Sequence, residues 1–236
     1  MAGQARPGER QQMENRDLLV LGASGHTGRR FVEMALARGH RITALVRSTA
    51  TLPAKQGLRV IVGDVLDPIT LQQAAQGMDG VVSCLGIRKQ NPSDPWSALI
   101  SPLDLTTRSA ANMVAAMRQN GISRCVAISS AGIGDSWPTV HPELQKLIET
   151  SNVAKIFQDL NTMEDVLAQS GLDTLAIRPV AVVDAEETGR ATHVDRFDLG
   201  AKITTGDIAR WMLDAMERPV PFSHRYEMIG TNPLLG

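Results

Sequence analysis

Seven residues constrain this chain more than any others. Gly22-Ala23-Ser24-Gly25-His26-Thr27-Gly28 directly follows the apolar run Leu18-Leu19-Val20-Leu21 and directly precedes a stretch of helical period over residues 29–38. A strand that ends in three closely spaced glycines can turn tightly, bring its backbone near a diphosphate without Cβ interference, and pack the next helix close to the sheet. That helix offers free N–H groups and the positive end of its dipole to phosphate oxygens. The spacing is GxxGxxG, not the commoner GxGxxG, and no lysine stands where a Walker loop needs one, so the pattern predicts a dinucleotide site.

Glycine supplies 20 of the 236 residues, so the motif takes its weight from context. Short β-branched runs over 17–21, 41–46, 58–62, 80–84, 125–129 and 174–178 alternate with longer helical segments. Phe31, Ala35 and Leu36 mark the core stripe of the first helix, which Gly39 ends. Residues 103–120 form a second helix, with Leu105, Ser109, Met113, Ala116 and Met117 inward, and 143–169 a third that stops at Ser170-Gly171. Nearly all-apolar strands belong to a parallel sheet covered on both faces. The predicted fold is α/β, a Rossmann-type doubly wound parallel sheet of strand order 3-2-1-4-5-6. A helix starting over 205–209, capped by Thr205 or Asp207, and a strand over 226–229 close a small C-terminal, substrate-side region. Residues 1–15 read as a disordered tail and 16–236 as a single domain.

Lys+Arg 24 against Asp+Glu 25 leaves no electrostatic footprint for nucleic acid or an acidic membrane. No apolar stretch reaches the roughly 18 residues that span a bilayer, and residues 1–16 lack the apolar core of a signal peptide. The expectation is a cytoplasmic protein acting on a small molecule. Cys84 and Cys125 lie inside apolar runs and read as small buried hydrophobes. The five histidines are scattered without ligand spacing, so no metal is predicted.

In a doubly wound sheet the ligand crosses the carboxyl ends of the strands. The second strand ends in Val46-Arg47, about twenty residues after the glycines, where an NAD-selective chain places an acid for the ribose 2′-hydroxyl. A guanidinium there suits a 2′-phosphate instead, so the predicted cofactor is NADP(H), with Arg29 as a second cation. Beyond the third strand, Asp64 can accept from the adenine amino group while Val65 covers the ring. Asp67, ahead of Pro68, reads as a helix N-cap. After the fourth strand, Leu85 and Gly86 let backbone pass near the adenosine ribose.

Gly22–Gly28, Leu45-Val46-Arg47, Gly63-Asp64-Val65, Leu85-Gly86, Ser129-Ser130-Ala131 and Arg178-Pro179 together resemble, in order and spacing, the atypical short-chain dehydrogenase/reductases of the NmrA-like, NAD(P)H-binding family. Within it the chain is most similar to biliverdin/flavin reductases, over residues 16–230. The resemblance implies a Rossmann fold and NADPH as hydride donor to a flavin, tetrapyrrole or quinone. Carried over, Gly22, Ser24, Gly25, His26, Thr27 and Gly28 hold the pyrophosphate and Arg47 the 2′-phosphate. Ser129 and Ser130 sit at the nicotinamide side, Ser130 beside nicotinamide and acceptor, and Pro179 with Val180 lines the carboxamide.

The chain departs from alcohol-oxidising members, whose Tyr-x-x-x-Lys dyad uses the lysine to lower the tyrosine pKa. Those positions fall near Ile156 and Leu160, and the single tyrosine is Tyr226. Ser130 is therefore the candidate catalytic residue, suited to orienting an acceptor. Asp135, His141 and Glu143 follow it in sequence and can approach the substrate. The proline-rich stretch 88–102 reads as a lid, with Trp96 and Trp137 as surfaces for a planar acceptor. The same features also suit a non-catalytic NADP(H)-sensing protein, or a cofactor-retaining epimerase or isomerase.

Overall fold

The computed structural model describes residues 15–49, 52–196 and 198–231; residues 1–14 of the expected tail lie outside the described residues. Strand β1 (Asp17–Leu21) lies in mid-sheet, and its side chains from Leu18 to Leu21 are fully buried. Period-two alternation divides them: Leu18 and Val20 enter one core layer, Leu19 and Leu21 the other. Helices α1 (His26–Ala37) and α6 (Thr205–Glu217) close the first layer. The second is closed by α2 (Pro68–Ala74), α3 (Leu105–Gln119) and α5 (Val153–Ala168).

The other strands are β2 (Arg41–Val46), β3 (Leu58–Val62), β4 (Gly80–Ser83), β5 (Arg124–Ile128), β6 (Asp173–Pro179), β7 (Ala181–Val183), β8 (Ala191–His193), β9 (Lys202–Thr204) and β10 (Tyr226–Thr231). The sheet runs β3-β2-β1-β4-β5-β6, as the sequence predicts, and continues through β10, parallel to β6, and β8, antiparallel to β10. The chain winds outward from β1 to β3 and then crosses to β4, so the β1/β4 carboxyl ends form the switch point. The strand from residue 226 thus enlarges the main sheet, and the small separate ladder is β7 with β9. Among the described residues no helix is long and apolar enough to cross a membrane.

The single helix expected over 143–169 is two: α4 (Pro142–Glu149) and α5. The helical ladder ends at Asn152, whose backbone N–H donates to the Pro95 carbonyl at 3.1 Å instead of to the carbonyl four residues back. Thr150 Oγ1 donates to the Lys146 carbonyl at 2.7 Å, and the Asn152 amide donates to the Trp96 and Ser97 carbonyls at 3.0 and 3.2 Å. The cap of α6 is also displaced from Thr205 or Asp207 to Thr204, whose Oγ1 accepts from the Asp207 N–H at 3.0 Å. Asp207, 1% exposed, instead receives the Thr188 and Gly189 N–H groups at 2.8 and 2.9 Å and ties that loop to the helix. Asp67 caps α2 as predicted, accepting from the Ile69 and Thr70 N–H groups at 3.1 and 3.3 Å.

Candidate functional site

The turn between β1 and α1 is shaped by the side chains it lacks. Gly22 has φ +75°, and a Cβ there would lie 2.7 Å from the Cys84 carbonyl oxygen at the end of β4. A Cβ on Gly28 would lie 2.2 Å from the Gly22 carbonyl oxygen, a backbone atom that no rotamer change can move. The first glycine therefore allows the turn and the third lets helix and strand close on each other. Gly25, the N-cap of α1, brings no side chain to the first-turn amides, which leaves that helix end open to an anion. Thr27 is buried in that first turn, Ser24 is half-buried, and the Ser24 carbonyl accepts from Arg29 Nε at 3.0 Å.

His26 lies on the exposed lip, its Nδ1 2.6 Å from an Asp184 carboxylate oxygen. Arg30 reaches the same loop, pairing with Asp184 at 3.4 Å and Glu186 at 2.5 Å. Hydrogen bonds from Thr205 hold the Asp184 carboxyl below the usual range against the opposing effect of desolvation, with His26 and Arg30 adding to the shift. Arg47 stands exposed just past β2 and forms no ion pair with any described residue. Asp64 is exposed after β3, with one carboxylate oxygen accepting the Leu66 N–H at 2.9 Å and the other available. Val65 is half-buried, and Leu85 packs on the second core layer. A Cβ on exposed Gly86 would meet nothing within 4 Å, so there is free space beside the switch point.

The β5 and β6 edge is built from charged side chains. Ser129 is buried and its hydroxyl donates to Glu164 Oε1 at 2.6 Å, whereas the Ser130 hydroxyl bonds just the adjacent Ala131 carbonyl, at 3.1 Å. The Ser129 and Ala131 N–H groups donate to Ile177 and Pro179 carbonyls at 2.7 and 2.9 Å, pinning this turn to β6. Pro179 and Val180 are buried beside it, the Val180 N–H bonded to Ile229 at 3.0 Å. Arg178, on the β6 face toward α5, pairs with Glu164 at 2.7 Å and with Asp135 at 2.6 Å, and stacks 3.5 Å above the Tyr226 ring. The Tyr226 hydroxyl donates to Asp135 at 2.7 Å. Burial favours the neutral form of Asp135, but hydrogen bonds from Arg178 and Tyr226 outweigh it and hold the carboxyl below its usual range. The Asp135 hydrogen bond, with desolvation second, raises the Tyr226 phenol above the usual range. Burial pushes the Cys84 and Cys125 thiols up to about 12, which leaves them unreactive.

A cavity of about 380 Å³ opens between a 3-10 turn (Gly134–Thr139) and the helices α4 and α5. Trp137 lines it, together with Ile133, Phe157 and Asn161. Trp96 lies outside it on the 88–102 segment, 55% exposed, its indole N–H donating to the Thr150 carbonyl at 3.0 Å. Ile156 and Leu160 pack on the second core layer, so neither of the two dyad positions carries a polar group. His141 caps α4, its Nδ1 accepting from the Glu143 N–H at 3.3 Å, and Glu143 is exposed. The Arg178–Glu164 pair escaped the sequence reading, although an arginine inside an otherwise apolar strand signals a buried partner. Among the described residues no group of three or more His, Cys, Asp or Glu side chains converges as metal ligands do.

A doubly wound sheet with a Cβ-free turn at its switch point defines a dinucleotide-binding domain. This chain belongs to the NAD(P)H-binding family, which it matches over residues 22–219. The anaerobillin reductase ChuY from Escherichia coli O157:H7 superposes with a TM-score of 0.74 at 21% identity, over 92% of this chain and 98% of that one. A short-chain dehydrogenase/reductase from Veillonella parvula in complex with NADP superposes with a TM-score of 0.74 at 17% identity, over 93% and 96% of the two chains. At these identities the likeness is one of fold. The photosystem II assembly factor Ycf39 of Cyanidium caldarium is 22% identical over 187 residues, 77% of this chain and 58% of that protein. The chain spans less than two thirds of the length of the curated relatives it matches.

Proposed function

We propose that the protein is an NADPH-dependent reductase that passes a hydride to a conjugated small-molecule acceptor. The observation that carries this reading is the turn at Gly22 and Gly28, where a Cβ would fall 2.7 and 2.2 Å from backbone carbonyl oxygens and so has no room. Gly22, Ser24, Gly25, His26, Thr27 and Gly28 hold the pyrophosphate through backbone amides and short side chains. Arg47, exposed and unpaired, takes the 2′-phosphate with Arg29 beside it, and so selects NADP(H) over NAD(H). Asp64 and Val65 meet the adenine, and Leu85 with Gly86 the ribose side. Pro179 and Val180 border the nicotinamide.

When bound, the reduced nicotinamide supplies the hydride. The chain's part is to position the acceptor, exclude water, and manage one proton. Ser129 has given its hydroxyl to Glu164, whereas that of Ser130 makes one local bond of 3.1 Å to the Ala131 carbonyl, which it exchanges for the acceptor in order to orient it and relay a proton from solvent. With apolar side chains at 156 and 160 and the one tyrosine held protonated in β10, this chain has no Tyr-Lys acid on α5. A conjugated acceptor suits that lack, because the charge left by hydride addition is delocalised and water can quench it.

The test mixes protein with NADPH and a panel of FMN, biliverdin and naphthoquinones. The expected result is NADPH oxidation, slower in Ser130→Ala, with NADPH preferred to NADH by about tenfold or more and Arg47→Ala erasing that preference. NADPH binding without turnover across the panel replaces this reading with a sensor. No binding at all removes both.

A further inference from the structure

One guanidinium closes the loop that carries Ser130. At its near end the Ser129 hydroxyl donates to Glu164 Oε1 at 2.6 Å, and Glu164 takes the Nε and a terminal nitrogen of Arg178 at 3.0 and 2.7 Å. At its far end Asp135 takes the same Arg178 directly, at 2.6 Å. Between these ties the backbone turns at Gly132 and Gly134, with φ of +90° and +53°, and a Cβ on Gly134 would lie 3.5 Å from a terminal Arg178 nitrogen. The loop thus bends round the guanidinium. Ser136 braces it, its hydroxyl accepting from the Gly132 N–H at 3.0 Å and donating to the Ile133 carbonyl at 2.7 Å.

The sheet bonds alone do not fix the direction of the Ser130 hydroxyl. The Ser129 and Ala131 N–H groups both reach β6 carbonyls, and two bonds along one edge of a segment leave it free to rotate about that edge. The Ser129 hydroxyl leaves in another direction, toward α5, and stops that rotation. Resting on the reductase reading above, we infer that Arg178, Glu164 and Asp135 are positioning residues, which act through the 129–135 loop to aim the Ser130 hydroxyl at the acceptor. A forked guanidinium can hold both carboxylates at set angles, which a lysine cannot do. Misplacing such a group by about 1 Å can cost about 100-fold in rate. The effect falls on turnover and spares the coenzyme, whose diphosphate lies at the other half of the sheet. The Ser129 tie is buried, whereas the Asp135 side chain is 63% exposed and its pair is screened by water, so the near end carries more of the effect.

Ser129→Ala releases the near tie and Asp135→Ala the far one, and in both variants Arg178 and Glu164 still pair, so no buried charge is stranded. With NADPH and the fastest acceptor of the panel above, Ser129→Ala is expected to lower kcat by about threefold or more and Asp135→Ala by less, with NADPH affinity within about twofold of wild type. Each change is then repeated in Ser130→Ala. There both are expected to lose their effect on kcat, since a positioning residue has nothing left to aim. A kcat that either variant leaves unmoved, or a loss of the same size with and without the Ser130 hydroxyl, overturns the inference and leaves the reductase reading intact. If wild-type protein binds NADPH and reduces no acceptor, the reductase reading fails. Amide hydrogen exchange then still decides whether the ties set the loop: faster exchange over residues 129–135 in both variants, with residues 17–21 unchanged, supports it, and unchanged exchange over 129–135 sinks it.

Discussion

The two halves of the sheet solve opposite problems. At the β1 and β4 edge the site is made by atoms that are missing: a Cβ at Gly22 or Gly28 would run into backbone, and a Cβ at Gly86 would enter open space. At the β5, β6 and β10 edge it is made by side chains that must be present, with Arg178 clamped between Glu164 and Asp135 above the Tyr226 ring. A diphosphate is common to every dinucleotide, so one backbone cradle serves. The turn carrying Ser129 and Ser130 is instead held from outside, through the Ser129–Glu164 hydrogen bond, by a charged network.

This contrast is broken most severely at Arg178. Arg178→Ala leaves the Glu164 carboxylate, 13% exposed, without its cation and should cost about 3–5 kcal/mol in urea unfolding. Coenzyme affinity should change by no more than about twofold if the halves are separate. The double variant Arg178→Met with Glu164→Gln should recover part of the stability, since it leaves no buried charge unpaired. A large loss of coenzyme binding in Arg178→Ala would show that the halves are one unit.

Gly28→Ala tests the other half. The added methyl meets the Gly22 carbonyl, so α1 must withdraw from β1, at about 1–3 kcal/mol. Calorimetric affinity for NADPH should fall by about tenfold or more, out of proportion to the change in melting temperature. Unchanged affinity would mean that the phosphates do not rest on this turn.

The smallest effects sharpen the comparison through pH. The chain has one tyrosine, so phenolate absorbance reports Tyr226 alone. Its pKa is raised by the hydrogen bond to Asp135 and then by desolvation. The stability it contributes is complete below the ordinary phenol value of about 10 and fades as pH rises through the raised folded value. Asp135 has the opposite sign: its contribution is complete above about 4 and fades as pH falls through its lowered folded value. Asp135→Asn should bring the Tyr226 titration back toward that of free tyrosine and flatten the acid limb of the stability curve. A wild-type phenol titrating at or below the free value would remove Asp135 from the network.

Legibility in the sequence followed the range of the interaction. The strands were readable from their apolar runs, their order because the glycine turn marks the doubly wound fold that carries that order, and Asp67 because a cap bonds two or three residues ahead. The break between α4 and α5 was not, because Asn152 fits the helical pattern until the Pro95, Trp96 and Ser97 carbonyls arrive from the 88–102 segment to take its backbone and side-chain N–H groups. The partners of Asp135 were hidden for the same reason: Arg178 lies 43 positions away and Tyr226 91.

The amino-acid sequence by itself determined the β1 turn, the alternating parallel sheet and the family's dinucleotide site, since steric demands on glycine and the period of apolar residues act locally. The tertiary structure alone decided which charges meet, that the Ser129 hydroxyl goes to Glu164 while that of Ser130 goes to its neighbour's carbonyl, and that Trp137 rather than Trp96 lines a cavity. Ion pairs and cavity walls join segments with no common period, so their pairing exists once the strands have stacked and not before.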